Sequence, residues 1–194
     1  MDNSKKTKRK ILVTQALPYA NAPLHLGHIL EAVQTDIWAR FHNLNNNECL
    51  FFCADDTHGT PVMLKANEIG VKPEELIADV YKDHKSTYKL YDINFANFYS
   101  THSDENKKFS EYIYECAKNN NLISKSSIEQ YYDEKEKIFL SDRYIKGTCP
   151  KCGAEDQHGD NCGVCGASYD VLDVKNPVSI LSNSTPIKKK SDHI

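Results

Sequence analysis

The sequence predicts an α/β fold in which a parallel sheet with helical crossovers occupies residues 11–121 and a small β-rich part occupies residues 122–194. Three observations point there. Two short apolar runs, in "KILVTQALPYA" and "ECLFFCADDTHGTP", flank a stretch of helical periodicity. The alternation of α and β patterns ends near Asn121. Beyond it, four of the seven cysteines fall in two Cys-x2-Cys pairs.

Each element has its own reason. The run from Ile11 is β-branched and leucine-rich, and Pro18 stops it. From Leu26, the apolar residues Leu26, Ile29, Leu30, Val33, Ile37, Trp38 and Phe41 recur at helical spacing, so that stripe is expected to be the buried face of a helix of about four turns. Cys49 to Ala54 form a continuous apolar run, read as a buried strand with a polar loop after it. Strand, helix and strand make a βαβ unit, whose right-handed crossover implies parallel pairing. In "KPEELIADVYKDHKSTYKLY", Pro73 suits a first helical position and Glu74 and Glu75 suit the positive end of the helix dipole. "INFANFYS" reads as a third strand, and "SDENKKFSEYIYECAKNN" as a helix capped by Ser103. "SIEQYYDEKEKIFL" then offers two β-rich runs around a charged turn, a hairpin.

Composition excludes several classes. With 194 residues, 40% hydrophobic, the chain can bury one ordinary core with a small appendage. A net charge of −3 provides no basic field for collecting nucleic acid over the whole surface. The first ten residues carry Lys5, Lys6, Lys8, Arg9 and Lys10, but only three apolar residues, Ile11 to Val13, follow before Thr14. That is no signal peptide, and residues 1–10 are expected to be a disordered basic tail. No apolar run approaches the ~20 residues of a membrane span. Cysteine pairs at metal spacing suit a reducing compartment, the cytoplasm.

Cys149, Cys152, Cys162 and Cys165 place two pairs of thiolates on tight, glycine-rich turns. Two such turns facing each other close a tetrahedron around one Zn2+ per chain, with no position left for water, so the metal is expected to be structural. His158, between the pairs, is a competing ligand. Cys49, Cys53 and Cys116 have no partner at metal spacing and read as buried apolar thiols.

"PYANAPLHLGH" places two imidazoles and Gly27 at the first turn of the buried helix. A helix amino terminus has free N–H groups and partial positive charge, which suits a phosphate, and two imidazoles add donors. A glycine lets a flat ring or a phosphate approach the backbone. Two hydrogen-bonded loop histidines are the plainer alternative on spacing alone. Asp55 reads equally as a capping carboxylate, His58 is undecided, and Tyr19 alone reads as packing.

Residues Pro18 to His28 resemble the HIGH signature of class I aminoacyl-tRNA synthetases in the methionyl-tRNA synthetase form. "CADDTHGTPVMLKA", "YSTHSDEN", "FLSDRYIKGTCPKC" and "GDNCGVCGASYD" are similar to the same family, of the bacterial type with one zinc knuckle, and the resemblance runs from Ile11 over nearly the whole chain. It implies the first half of a Rossmann-like doubly wound parallel sheet with an inserted connective subdomain, its knuckle over residues 145–170. It also implies ligation: methionine and ATP, with Mg2+, give methionyl-adenylate, and the methionyl group passes to tRNA(Met). By the same resemblance His25, His28 and Asp56 are catalytic. Pro18, His25, Gly27, His28 and Glu31 hold ATP, and Ala16, Leu17, Tyr19 and Asp56 hold methionine, Asp56 pairing its ammonium.

The lysine-rich KMSKS loop and the anticodon-binding domain of that family have no counterpart here; Lys188, Lys189 and Lys190 lack the pattern and read as a solvated run. The chain therefore resembles an N-terminal part, inactive alone, with an open edge along Ile11–Thr14 and a complementing C-terminal half as a partner. Two other classes stay open: a zinc-knuckle RNA-binding module, and a non-catalytic remnant that binds ATP or methionine.

Overall fold

The computed structural model describes residues 8–194, in two compact units that divide between Ser110 and Glu111. Most of the basic tail expected at residues 1–10 lies outside the described residues. Lys8 to Lys10 are placed: Lys8 pairs with Glu48, the Arg9 N–H donates to Asn47 Oδ1, and Lys10 opens a strand.

The first unit holds a parallel sheet of β1 (Lys10–Thr14), β2 (Glu48–Asp55) and β3 (Asn97–Ser100), in that spatial order. Helix α1 (Leu26–Leu44) crosses from β1 to β2, and α2 (Thr60–Ile69) and α3 (Pro73–Leu90) cross from β2 to β3. Both crossovers step in the same direction, so right-handedness places their helices on one face of the sheet. The core confirms it: Ile29 and Ala32 of α1, Cys53 of β2, Tyr88 of α3 and Phe98 of β3 form one cluster. Pro61 at the first turn of α2 and Gly70 in the left-handed conformation after its end explain a helix over residues that the sequence reading left unassigned.

Three expectations are corrected. Of the apolar stripe expected on α1, only Ile29 is buried, with Val33 packed partly against the core. Leu26 is 81% exposed and Ile37 61%, and Leu30, Trp38 and Phe41 are exposed with them, whereas Ile29, Ala32, Asp36 and Ala39 are buried. Small side chains let the helix axis approach the sheet, and buried Asp36 is satisfied by Arg40 Nε at 2.5 Å and the Asn94 N–H at 3.1 Å. Second, β2 is buried on one side only. Cys49, Phe51, Cys53 and Asp55 point under the helices, while Leu50 faces away beside its register partner Leu12, which is 70% exposed. Third, the strand expected from Ile93 begins at Asn97, because Ile93 and Phe95 instead plug the core beside Phe51.

Helix α4 (Asp104–Asn119) spans the division between the units, and Ser103 Oγ accepts from the Asn106 N–H at its start. The second unit pairs β4 (Ser126–Asp133) with β5 (Ile138–Phe139) as the expected hairpin. Its other elements are β6 (Ile145–Thr148), β7 (Gln157–His158), β8 (Lys175–Ser179) and β9 (Ile187–His193). β9 pairs antiparallel with β4, and β6 with both β7 and β8. Gly147 is required where β6 meets β8: a Cβ there would lie 2.6 Å from the Lys175 carbonyl. Lys188, Lys189 and Lys190 are exposed in β9, with Lys189 Nζ 4.1 Å from the Tyr132 ring centre.

Candidate active site and metal centre

The histidine loop begins where β1 ends. The Pro18 carbonyl accepts from the Asp56 N–H at 2.8 Å and the Asp56 carbonyl from the Ala20 N–H at 2.9 Å, so Tyr19 and Asp56 form a parallel bridge that continues the β1–β2 ladder. This brings Pro18 and Tyr19 to Asp56 at the carboxyl end of the sheet, where ligands bind in open α/β sheets. Glu31 reaches back from α1, its Oε1 accepting the Ala16 N–H at 2.8 Å. Leu17 and Tyr19 are exposed.

His25 caps α1. Its Nδ1 accepts the N–H of Gly27 at 3.1 Å and of His28 at 3.4 Å, while His28 Nδ1 accepts the His25 N–H at 3.3 Å. The rings stack with centroids 3.7 Å apart. A nitrogen that accepts carries no proton, so both rings are neutral with their proton on Nε2. Burial, with the charge His25 would carry second, lowers the pKa of His28 and favours the same form. The helix terminus therefore works differently from the sequence reading. The N–H groups of Gly27 and His28 are already capped, and what the loop presents to an anion is two Nε2–H donors. Gly27 also has a local reason: a Cβ there would lie 2.9 Å from His25 Cε1, so only glycine lets that ring fold over the first turn.

A buried polar network lies beneath the loop. His84 of α3 places Nδ1 2.7 Å from Asp55 Oδ1 and Nε2 2.9 Å from the Ala22 carbonyl. Burial alone would depress its pKa, but hydrogen bonds to Asp55 and Ala22 and the Asp55 charge outweigh burial and raise it. Gln15 Nε2 donates to Tyr88 Oη at 3.3 Å. Thr57 and Thr101 join the loops after β2 and β3 through their hydroxyls at 2.8 Å, and outside this network, at the surface, His58 Nε2 lies 3.2 Å from His102 Nδ1. The sequence reading passed over His84. The available signal was its spacing with Ile77, Val80 and Tyr88, which puts an imidazole on the apolar face of α3.

In the second unit the sulfur atoms of Cys149, Cys152, Cys162 and Cys165 lie within 4.8 Å of one another. Cys149 and Cys165 are 3.9 Å apart and Cys152 and Cys162 3.7 Å, far beyond a disulfide bond. They match the edge of about 3.8 Å of a sulfur tetrahedron with bonds of ~2.3 Å to a central metal. Both turns have the same construction. The Gly153 N–H donates to the Cys149 carbonyl and the Gly166 N–H to the Cys162 carbonyl, each glycine at positive φ. Backbone N–H groups of Lys151 and Cys152 point at Cys149 Sγ, and that of Cys165 at Cys162 Sγ. Against the upward pull of burial, these donors bring Cys149 down to about 6 and also lower Cys162. Cys152 goes the other way: although the Ala154 backbone favours its thiolate, the neighbouring cysteines and burial push it up to about 12, so the four sulfurs share their protons, and the donor set fits a metal. His158 stands outside the cluster.

The family model described as "tRNA synthetases class I (M)" matches residues 11–194. This chain belongs to that family. Among curated relatives, the "Methionine–tRNA ligase" of Francisella tularensis subsp. holarctica (strain OSU18) is 55% identical over 185 residues, 95% of this chain and 27% of that protein. The enzyme of the same name from F. tularensis subsp. tularensis (strain WY96-3418) gives the same figures. This class I synthetase chain therefore spans about a quarter of the length of those relatives. Its fold is that of Mycobacterium tuberculosis methionyl-tRNA synthetase in complex with methionyl-adenylate, at a TM-score of 0.65 and 18% identity over 95% of this chain and 31% of that one. It also matches Agrobacterium radiobacter K84 agnB2 LeuRS, in a ternary complex with tRNA, at 0.62 and 22% identity over 79% of this chain and 20% of that one. The parallel sheet is thus the start of a Rossmann-like synthetase catalytic domain.

Proposed function

We propose that this chain is the nucleotide-binding portion of a cytoplasmic methionine–tRNA ligase, which activates methionine with ATP and Mg2+ and transfers it to tRNA(Met). The observation that carries the reading is the reciprocal cap of His25 and His28, which aims two neutral Nε2–H donors outward at the carboxyl end of a parallel sheet in a chain of this family. As the methionine carboxylate attacks the α-phosphate, those donors stabilise the added negative charge and pyrophosphate departs. Donors of this kind contribute ~3–4 kcal/mol each to such a step. Pro18, Gly27 and Glu31 complete the nucleotide side. Ala16, Leu17 and Tyr19 line the methionine side, where Asp56 pairs the substrate ammonium.

In this reading residues 11–121 are the catalytic half and 122–194 the connective subdomain, in which Cys149, Cys152, Cys162 and Cys165 hold one structural Zn2+. When bound, the metal supplies cross-linking of the two turns and no chemistry. An RNA-binding module is disfavoured, since Arg143 and Lys146 beside the knuckle are paired with Asp160 and Asp156. Among the described residues no helix is long and apolar enough to cross a membrane.

The test is methionine-dependent ATP–pyrophosphate exchange on the zinc-loaded chain, alone and mixed with the segment that follows it in its relatives. Exchange only in the mixture, abolished by His28→Ala, is the expected result. Methionine-independent exchange, or exchange indifferent to His28→Ala, would overturn the reading.

A further inference from the structure

His84 and Asp55 are both wholly buried, and the proposed chemistry uses neither. A carbonyl oxygen only accepts, so His84 Nε2 must carry the proton that it shares with Ala22. Its other nitrogen faces a carboxylate, and one further proton sits between Nδ1 and Asp55 Oδ1. Asp55 Oδ2 is buried with no hydrogen-bond partner among the described residues, so the imidazole is the group that compensates this carboxylate.

The placement of the three partners gives the pair its meaning. Asp55 ends β2 and is joined directly to Asp56. Ala22 lies between the Tyr19–Asp56 bridge and the His25 cap, and His84 belongs to α3, which packs on the sheet core through Tyr88. One side chain therefore links the histidine-bearing loop, the strand end that carries Asp56, and a helix anchored in the core. A hydrophobic residue of the same size would fill the space and make neither bond.

We propose that His84, held by Asp55, is a positioning residue that fixes the loop before His25 against the end of β2, so that the two loop histidines and Asp56 keep a constant separation. The importance of that separation rests on the function proposed above, but the tie itself does not.

The test is amide hydrogen exchange on the zinc-loaded 194-residue chain, without methionine or ATP. His84→Leu is expected to speed exchange across residues 19–28 tenfold or more and to leave the β1–β2 ladder within twofold. His84→Gln, whose amide can still donate to the Ala22 carbonyl, is expected to recover most of that protection. Unchanged exchange in the loop would overturn the proposal, as would an equal rise in loop and ladder, which marks an ordinary core residue. If His84→Leu does not fold, Asp55→Asn and Asp55→Ala decide: the asparagine amide can donate to Nδ1 and should keep the loop protected, whereas alanine should not, and equal behaviour overturns the tie. A loosened loop in a protein that never supports methionine-dependent exchange would refute the function and leave the tie standing.

Discussion

His25 and His28 cap each other: each Nδ1 accepts a backbone N–H of the other residue, and their rings stack 3.7 Å apart. One contact thereby starts α1 and sets the tautomer of both rings. The two roles separate by substitution. His25→Asn keeps a side-chain acceptor at the cap and should change unfolding free energy by a few tenths of a kcal/mol, whereas His25→Ala should cost ~1 kcal/mol. Both lose the Nε2–H, so both should weaken ATP binding, as read by titration calorimetry beside urea denaturation.

Gly27→Ala separates backbone from ring. Alanine favours a helix by ~1 kcal/mol over glycine, but its Cβ at 2.9 Å from His25 Cε1 forces that ring aside. Stability should therefore stay within about 1 kcal/mol of the parent. ATP affinity should fall at least tenfold, and the Nε2–H signal of His25 should shift in its nitrogen NMR spectrum.

His28 and His84 should respond to pH with opposite signs. His28 has a lowered folded pKa, so its contribution is intact above its ordinary value of 6.5 and stability falls as pH drops below that value toward the folded pKa. His84 has a raised folded pKa, so its contribution is complete below 6.5 and is lost as pH rises through the folded value. Unfolding free energy against pH for His28→Asn and His84→Gln should show the acid-side slope reduced in the first and the alkaline-side slope reduced in the second.

Removal of the metal should act on the second unit alone. Structural Zn2+ sites contribute on the order of 10 kcal/mol to folding. A chelator, or Cys149→Ser, should unravel residues 145–170 and leave the helical circular dichroism of α1 and α3 nearly unchanged. Cobalt substitution should give the thiolate charge-transfer bands of a four-sulfur tetrahedral site; their absence would exclude it.

Leu12 and Leu50 share a register position on the sheet face away from the helices, and β1 is an edge of the three-stranded sheet. An exposed apolar edge is a template for association. The chain should self-associate at micromolar concentration, and Leu12→Lys should shift sedimentation toward monomer.

The sequence by itself determined whatever is written locally. Two Cys-x2-Cys pairs named the four thiols that the fold gathers into one cluster, because each turn is built from consecutive residues, and His-Leu-Gly-His at a helix start placed two rings on one turn. The strands β1 and β2, the helices α1 and α3 and the β4–β5 hairpin were legible for the same reason. Tertiary structure decided which half of an apolar helix is covered. The periodicity of α1 is the same whether Leu30 or Ala32 meets the sheet, and only the close seat of the helix on β2 selects Ala32. Nor could spacing show that His84 reaches Asp55 across 29 residues and Ala22 across 62, because such bonds exist only once α3 has folded back onto the sheet.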